Sequence, residues 1–389
     1  MAWIGAVVCA LCLWPSTGLA QSTESSNEWF LRTGVTTARI FSDNPFDSGS
    51  EASTDPIRWG PNLTVEVGRQ TDGSQEWHHL YGIPSWGLGV SLASFSNGAH
   101  HTKPIDVYAF FSWPFVRLND RLALTTDFGM GVSWRWKEFD GDTASESSVL
   151  ASDLNARIDW GFYLRYATTP RTRLYMGVDF THRSNGGTMQ PDLGINTIGP
   201  KVSLQYNLAP GTSNRQVQVK GLRPPFTPSW EFVVGGAAGV KSVAERRTPI
   251  YQKDFGATVI TSAAQRQFYR YGKFAFGTDA TYDGSTGARL DEADTHWRAS
   301  TGQRWSLGTY GGYEHVIGRF GAIAQLGYYV ARGFDNPTKS RLYERLGWRY
   351  RVTDRLWTTI GIRTAGGPRA DALELGAGYR MNLPWSQER

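Results

Sequence analysis

The chain has 389 residues, 44 of them Gly, with 13% aromatic residues and a formal net charge of +5. No run of about 18 apolar residues lies beyond the N-terminus, which argues against a helical membrane protein. The small charge and the lack of a Lys/Arg cluster argue against a nucleic-acid partner. Many Gly, Trp, Tyr and Phe without long apolar runs suit a barrel whose strands hide their apolarity by alternation.

An apolar run from Trp3 to Trp14 precedes the small residues Gly18 and Ala20. Residues 1–20 read as a cleaved export signal, although no Lys or Arg opens the segment. Cys9 and Cys12, the two cysteines of the chain, lie inside it. The mature chain is therefore expected to hold no disulfide and no thiolate metal site. A lipid anchor on Cys12 is disfavoured by Leu11, where that signal wants Gly or Ala.

Beyond the signal, apolar and polar residues alternate with period two, segment after segment. In 122–136, Leu122, Leu124, Phe128, Met130, Val132, Trp134 and Trp136 share one parity, interrupted by Thr126. Asp127 and Arg135 fall on the other parity. In 154–166, Leu154, Ala156, Ile158, Trp160, Phe162, Leu164 and Tyr166 oppose Asn155, Arg157, Asp159 and Arg165. Successive strand side chains point to opposite faces, so one face is apolar and the other carries ions.

Strands are expected near 28–41, 61–71, 86–96, 105–116, 122–136, 153–167, 172–184 and 198–208. After the connection 209–229, more are expected near 230–243, 256–268, 272–283, 303–316, 319–332, 340–351, 355–364 and 371–383. Strand length, aromatic residues near apolar-face ends, and short turns alternating with long polar connections fit an outer-membrane barrel. The expected fold is all-β: a transmembrane antiparallel β-barrel of 14–16 strands, one domain over residues 21–389. The lumen-parity charges could line a transport path; a network of paired charges filling the interior is the commoner arrangement and is expected here.

The segment 172–184 ends on an exception. Leu174, Met176, Val178 and Phe180 form its lipid face, and the same parity continues to His182 and Ser184. Arg173, Asp179, Thr181 and Arg183 take the lumen parity. An imidazole beside a hydroxyl can activate it as a nucleophile. The Asn185-Gly186-Gly187 turn follows, and its backbone amides can stabilise an oxyanion. Such a pair at the outer rim would meet the esters of outer-leaflet lipid. The pairs His78-His79 and His100-His101 point to opposite sides of an extended chain, and His296 and His315 lack ligand-spaced partners. Neither a metal nor a cofactor is expected.

The run Asp179-Phe180-Thr181-His182-Arg183-Ser184-Asn185-Gly186-Gly187, followed by Gln190-Pro191-Asp192-Leu193-Gly194-Ile195-Asn196, resembles the signature of the lipid A 3-O-deacylase (PagL) family of acyloxyacyl hydrolases. Tyr81-Gly82-Ile83-Pro84, Gly87-Leu88-Gly89-Val90, Trp113-Pro114-Phe115 and Phe128–Trp136 also match in order. The resemblance covers residues 28–208; residues 209–389 read as further strands closing the same barrel. It implies hydrolysis of the acyl ester at the 3-position of lipid A, with lipopolysaccharide as partner, in the outer membrane of a Gram-negative cell. Carried over, His182 would be the general base, Ser184 the nucleophile, and Asn185 and Gly187 the oxyanion hole. Asn196 stands where the family has a Glu that orients the His, and Asp192 is a possible substitute acid. The alternative is a barrel without chemistry, porin-like or adhesive, that lost its acid.

Overall fold

The computed structural model describes residues 29–40, 59–96, 101–136, 150, 152–189, 194–209, 226–245, 251–290, 295–334, 340–366 and 370–383. The signal segment 1–20 and Asp192 lie outside the described residues.

Alternation becomes strand throughout. The first eight barrel strands are β1 (Trp29–Ile40), β2 (Trp59–Gln70), β3 (Ser85–Ala93), β4 (Ile105–Arg117), β5 (Leu122–Trp134), β6 (Asn155–Ala167), β7 (Thr172–Ser184) and β8 (Ile195–Asn207). The next eight are β9 (Ser229–Glu245), β10 (Tyr251–Tyr269), β11 (Gly272–Asp283), β12 (Trp305–Ile317), β13 (Phe320–Arg332), β14 (Leu342–Arg351), β15 (Leu356–Thr364) and β16 (Ala370–Asn382). Each of the sixteen overlaps a segment expected from the sequence.

Their closure corrects the single-barrel expectation. β8 pairs back onto β1, with Phe30 opposite Asn207 and Val35 opposite Val202. β16 pairs back onto β9, with Gly235 opposite Gly378. The strands thus form two closed antiparallel barrels of eight, not one of 14–16. Period-two patterning fixes which face a side chain takes, but says nothing about which distant strand completes the ladder.

Eight strands leave an interior just wide enough for side chains to fill. In the first barrel it is filled by ions in pairs. Arg32 pairs with Glu66 and, at 2.7 Å, with Asp127; Lys201 meets Asp179 at 3.1 Å; Arg157 meets Asp106 at 3.1 Å. Buried charge persists only when paired and hydrogen-bonded, so each lumen-facing ion of one strand needs its opposite on another. The second barrel repeats the scheme: Lys273–Glu231 at 2.8 Å, Arg349–Glu314 at 2.7 Å, and Arg345 between Asp279 and Glu374. The filled-interior reading holds in both. Outward faces carry exposed large apolar residues, including Leu88, Phe162 and Val178 in the first barrel and Phe276, Leu326 and Leu375 in the second.

Two irregularities of β5 have local causes. Thr126, the polar interruption on the apolar parity, accepts a hydrogen bond from the Trp160 indole at 2.7 Å and donates to the Gly161 carbonyl at 2.9 Å. The strand also stops at Trp134, because Arg135 adopts a left-handed backbone with φ 69°. That residue reverses the parity. Arg135, expected inside, is exposed, and Trp136, expected on the lipid face, is buried in an apolar cap with Ile40, Ala93, Phe95, Leu150 and Ile195.

Candidate active site

β7 and β8 run antiparallel at the end of the first barrel that bears the long connections. Their register sets His182 directly opposite Asn196. Both side chains take the outward parity, half-exposed, above Phe180 on β7 and Ile198 on β8. Directly opposed residues on one face are the strand neighbours that interact most closely. Here the imidazole Nδ1 lies 2.8 Å from the Asn196 side-chain oxygen. That oxygen can only accept, so Nδ1 carries the proton and donates it. The bond fixes the tautomer and leaves Nε2 with its lone pair.

Ser184 is the last residue of β7 and shares the outward face with His182. Two residues of strand rise separate them by about 7 Å at the backbone, within reach of side chains leaning along the strand. On the other flank, Ala156 of β6 stands opposite Ser184, and Ile158 stands opposite His182. Ala156 sets a methyl group beside Ser184, and Ile158, Trp160 and Phe180 make the adjoining surface apolar. Trp160 packs edge-on to Phe128 with centroids 5.8 Å apart.

After Ser184 the chain turns sharply. Asn185 is buried, and Gly186 and Gly187 take φ of 70° and 83°. Consecutive left-handed glycines are tolerated because no Cβ clashes, and such a turn lets backbone amides converge. Gly194, with φ 68°, has a further role. A Cβ built there would come within 2.8 Å of the His182 Cε1 atom. Glycine at this position lets the backbone lie against the imidazole.

The structure thus brings His182 and Asn196 together and sets Ser184 beside them on the same face. Asp179 lies inside the barrel, where its carboxylate accepts from Tyr163 at 2.5 Å and from Lys201 at 3.1 Å. It belongs to the interior network, as its parity indicated. His78 is committed to Asp72, 3.2 Å from Nδ1. Sequence reasoning missed Ala156 and the contact of Gly194 with His182. The first needs a cross-strand register, which no local pattern carries; the second was signalled only by a Gly just before Ile195.

Residues 63–207 match the family described as Lipid A 3-O-deacylase (PagL), and residues 228–383 match the one described as Acyloxyacyl hydrolase, C-terminal domain. Among solved structures, the outer membrane enzyme PagL aligns at 19% identity over 46% of this chain and 98% of its own, with a TM-score of 0.29. The translocator domain of the autotransporter NalP from Neisseria meningitidis aligns at 10% identity over 97% and 95%, with a TM-score of 0.21. OccAB4 from Acinetobacter baumannii aligns at 11% identity over 92% and 99%, with a TM-score of 0.23. Scores this low carry no weight for the fold, which rests on the strand pairing. No curated protein matches the chain. The first family match ends where β8 ends, and the second spans β9 to β16, one in each barrel. The chain belongs to the lipid A 3-O-deacylase (PagL) family of acyloxyacyl hydrolases.

Proposed function

We propose that this protein is an outer-membrane esterase that removes the ester-linked acyl chain from the 3-position of lipid A. The observation that carries the reading is the hydrogen bond between His182 Nδ1 and the Asn196 side-chain oxygen, made on the outward face two residues from Ser184. Family membership supports deacylation of lipid A as the activity and the outer membrane of a Gram-negative cell as its place.

In this mechanism Nε2 of His182 takes the Ser184 hydroxyl proton as the serine oxygen attacks the acyl carbonyl. The amides of the Asn185–Gly187 turn stabilise the oxyanion. The ester bond to the sugar breaks, the imidazolium protonates the leaving sugar oxygen to a hydroxyl, and a water that gives its proton to Nε2 then hydrolyses the acyl chain from Ser184. Asn196 holds the imidazole in the productive tautomer throughout. As an amide it offers the imidazolium a dipole rather than a full charge, so the acid's electrostatic share is missing. Asp192, four residues before Asn196 in the sequence, is the candidate to supply it. The outward placement suits a substrate that lies in the membrane rather than in solution.

The reading is tested by expressing the chain in a host of defined lipid A and weighing that lipid by mass spectrometry. Loss of one 3-linked acyl chain is expected, and Ser184→Ala should abolish it while the heat-modifiable folded band persists. Unaltered lipid A in cells that carry the folded protein overturns the proposal and leaves the non-enzymatic barrel, which Asn196 in place of an acid and the long second half favour.

A further inference from the structure

Between His182 and Ser184 stands Arg183, whose side chain points the other way, into the barrel, and is 1% exposed. Its guanidinium grips both carboxylate oxygens of Asp106 on β4, Nε to Oδ1 at 3.2 Å and Nη2 to Oδ2 at 2.6 Å. Asp106 is fully buried. It is itself held by Arg157 of β6, whose Nε lies 3.1 Å from Oδ2. Arg157 is fixed in turn, pairing with Asp159 at 2.5 Å and stacking over the Tyr108 ring at 3.8 Å. Above them, the reversal at Arg135 brings Trp136 inward, its ring 5.9 Å from the Arg183 guanidinium. Trp136 shares its apolar cap with Ile195, the neighbour of Asn196.

We propose that Arg183 is a positioning residue: gripped by Asp106 inside the barrel, it sets the orientation of the strand end that presents His182 and Ser184 outside. The proposal rests on the esterase reading for its functional meaning, but its geometry stands apart from it. β7 ends at Ser184, so the outward pair occupies the last three residues of a ladder, where strands fray most readily. A residue between the two functional side chains, anchored by a two-point fork, limits both twist and sliding of that segment. The cap does the same for β8 through Ile195, so His182 and Asn196 are held from one interior assembly. A buried ion pair is weak evidence for net stability, and geometric specification is the better-attested use of such pairs. Lysine keeps the charge but lacks the planar fork.

The test compares wild type with Arg183→Lys as the full chain in detergent micelles, with histidine labelled by nitrogen-15. The variant keeps Asp106 paired and is expected to keep the heat-modifiable band. In wild type the His182 ring nitrogens should report one tautomer, protonated on Nδ1. In Arg183→Lys they should move towards an averaged signal. With lipid A as substrate, kcat should fall roughly tenfold, since small misplacements of reacting groups are costly, with KM within about twofold. A residue that merely stabilised the barrel would lower the folded yield and leave the His182 signals of the folded molecules unchanged; that result overturns the proposal. If Arg183→Lys does not fold, Asp106→Asn provides the same nitrogen readout with Arg183 intact, and unchanged His182 signals there overturn it equally. If wild type shows no deacylation, the esterase reading fails, while the nitrogen signals still decide whether Arg183 positions His182.

Discussion

The two barrels solve the same interior problem and differ on the outside. Each has eight strands, and each fills its lumen with paired ions, such as Lys201–Asp179 in the first and Lys273–Glu231 in the second. Only the first carries a His-x-Ser at a strand end. The two histidines of residues 224–389, His296 and His315, are followed by Trp-Arg and Val-Ile. His315 sits instead at the short-turn end of its barrel, with Nδ1 3.1 Å from the Tyr313 hydroxyl. Charge on the lumen parity is thus common to both barrels, and points to no function. The informative residues are those that break apolarity on the outward face.

The most severe way to strain this comparison is to damage the second barrel's interior. Arg345 donates to Glu374 at 2.7 Å and to Asp279 at 3.0 Å. Arg345→Met removes the cation shared by two buried carboxylates, and should cost about 3–5 kcal/mol. Denaturant melts should show the loss in the second barrel, with lipid A deacylation unchanged in protein that remains folded. Lost deacylation in folded Arg345→Met protein would show that the second barrel takes part in the chemistry.

A smaller effect sharpens the account of the first barrel. Asn196→Asp is isosteric and places a carboxylate oxygen where the amide oxygen now lies 2.8 Å from Nδ1. An acid there stabilises the imidazolium, so kcat should rise ten- to a hundredfold by rough analogy with triad hydrolases, where the reverse change is very costly. Unchanged kcat would mean that another acid already performs this task, with Asp192 the first to substitute.

Much of this was legible in the sequence, and the limits have physical causes. Strand positions followed from alternation, because a side chain's face is set by local parity. The outward placement of His182 and Ser184 followed from the same parity. The failure at Trp136 and Arg135 came from one left-handed residue, which no apolar pattern signals. Closure at β8 was not legible either, since the pairing of Phe30 with Asn207 joins residues far apart in the chain. A hint was present: lumen ions of both signs on Asp127, Arg157, Asp159 and Arg165 suit a filled interior, and a filled interior suits eight strands better than sixteen. The resemblance put Asn196 at the orienting position with Asp192 as a possible substitute; the contact of Asn196 with His182 and the support of Gly194 required the fold.

The central claim is that Ser184 is a nucleophile armed by His182 on the outer face of the first barrel. Reaction of the folded chain with a fluorophosphonate, followed by peptide mass spectrometry, addresses it most directly. The account predicts a single adduct on Ser184 that disappears in His182→Asn. An adduct on another serine, or a Ser184 adduct that survives His182→Asn, would contradict it.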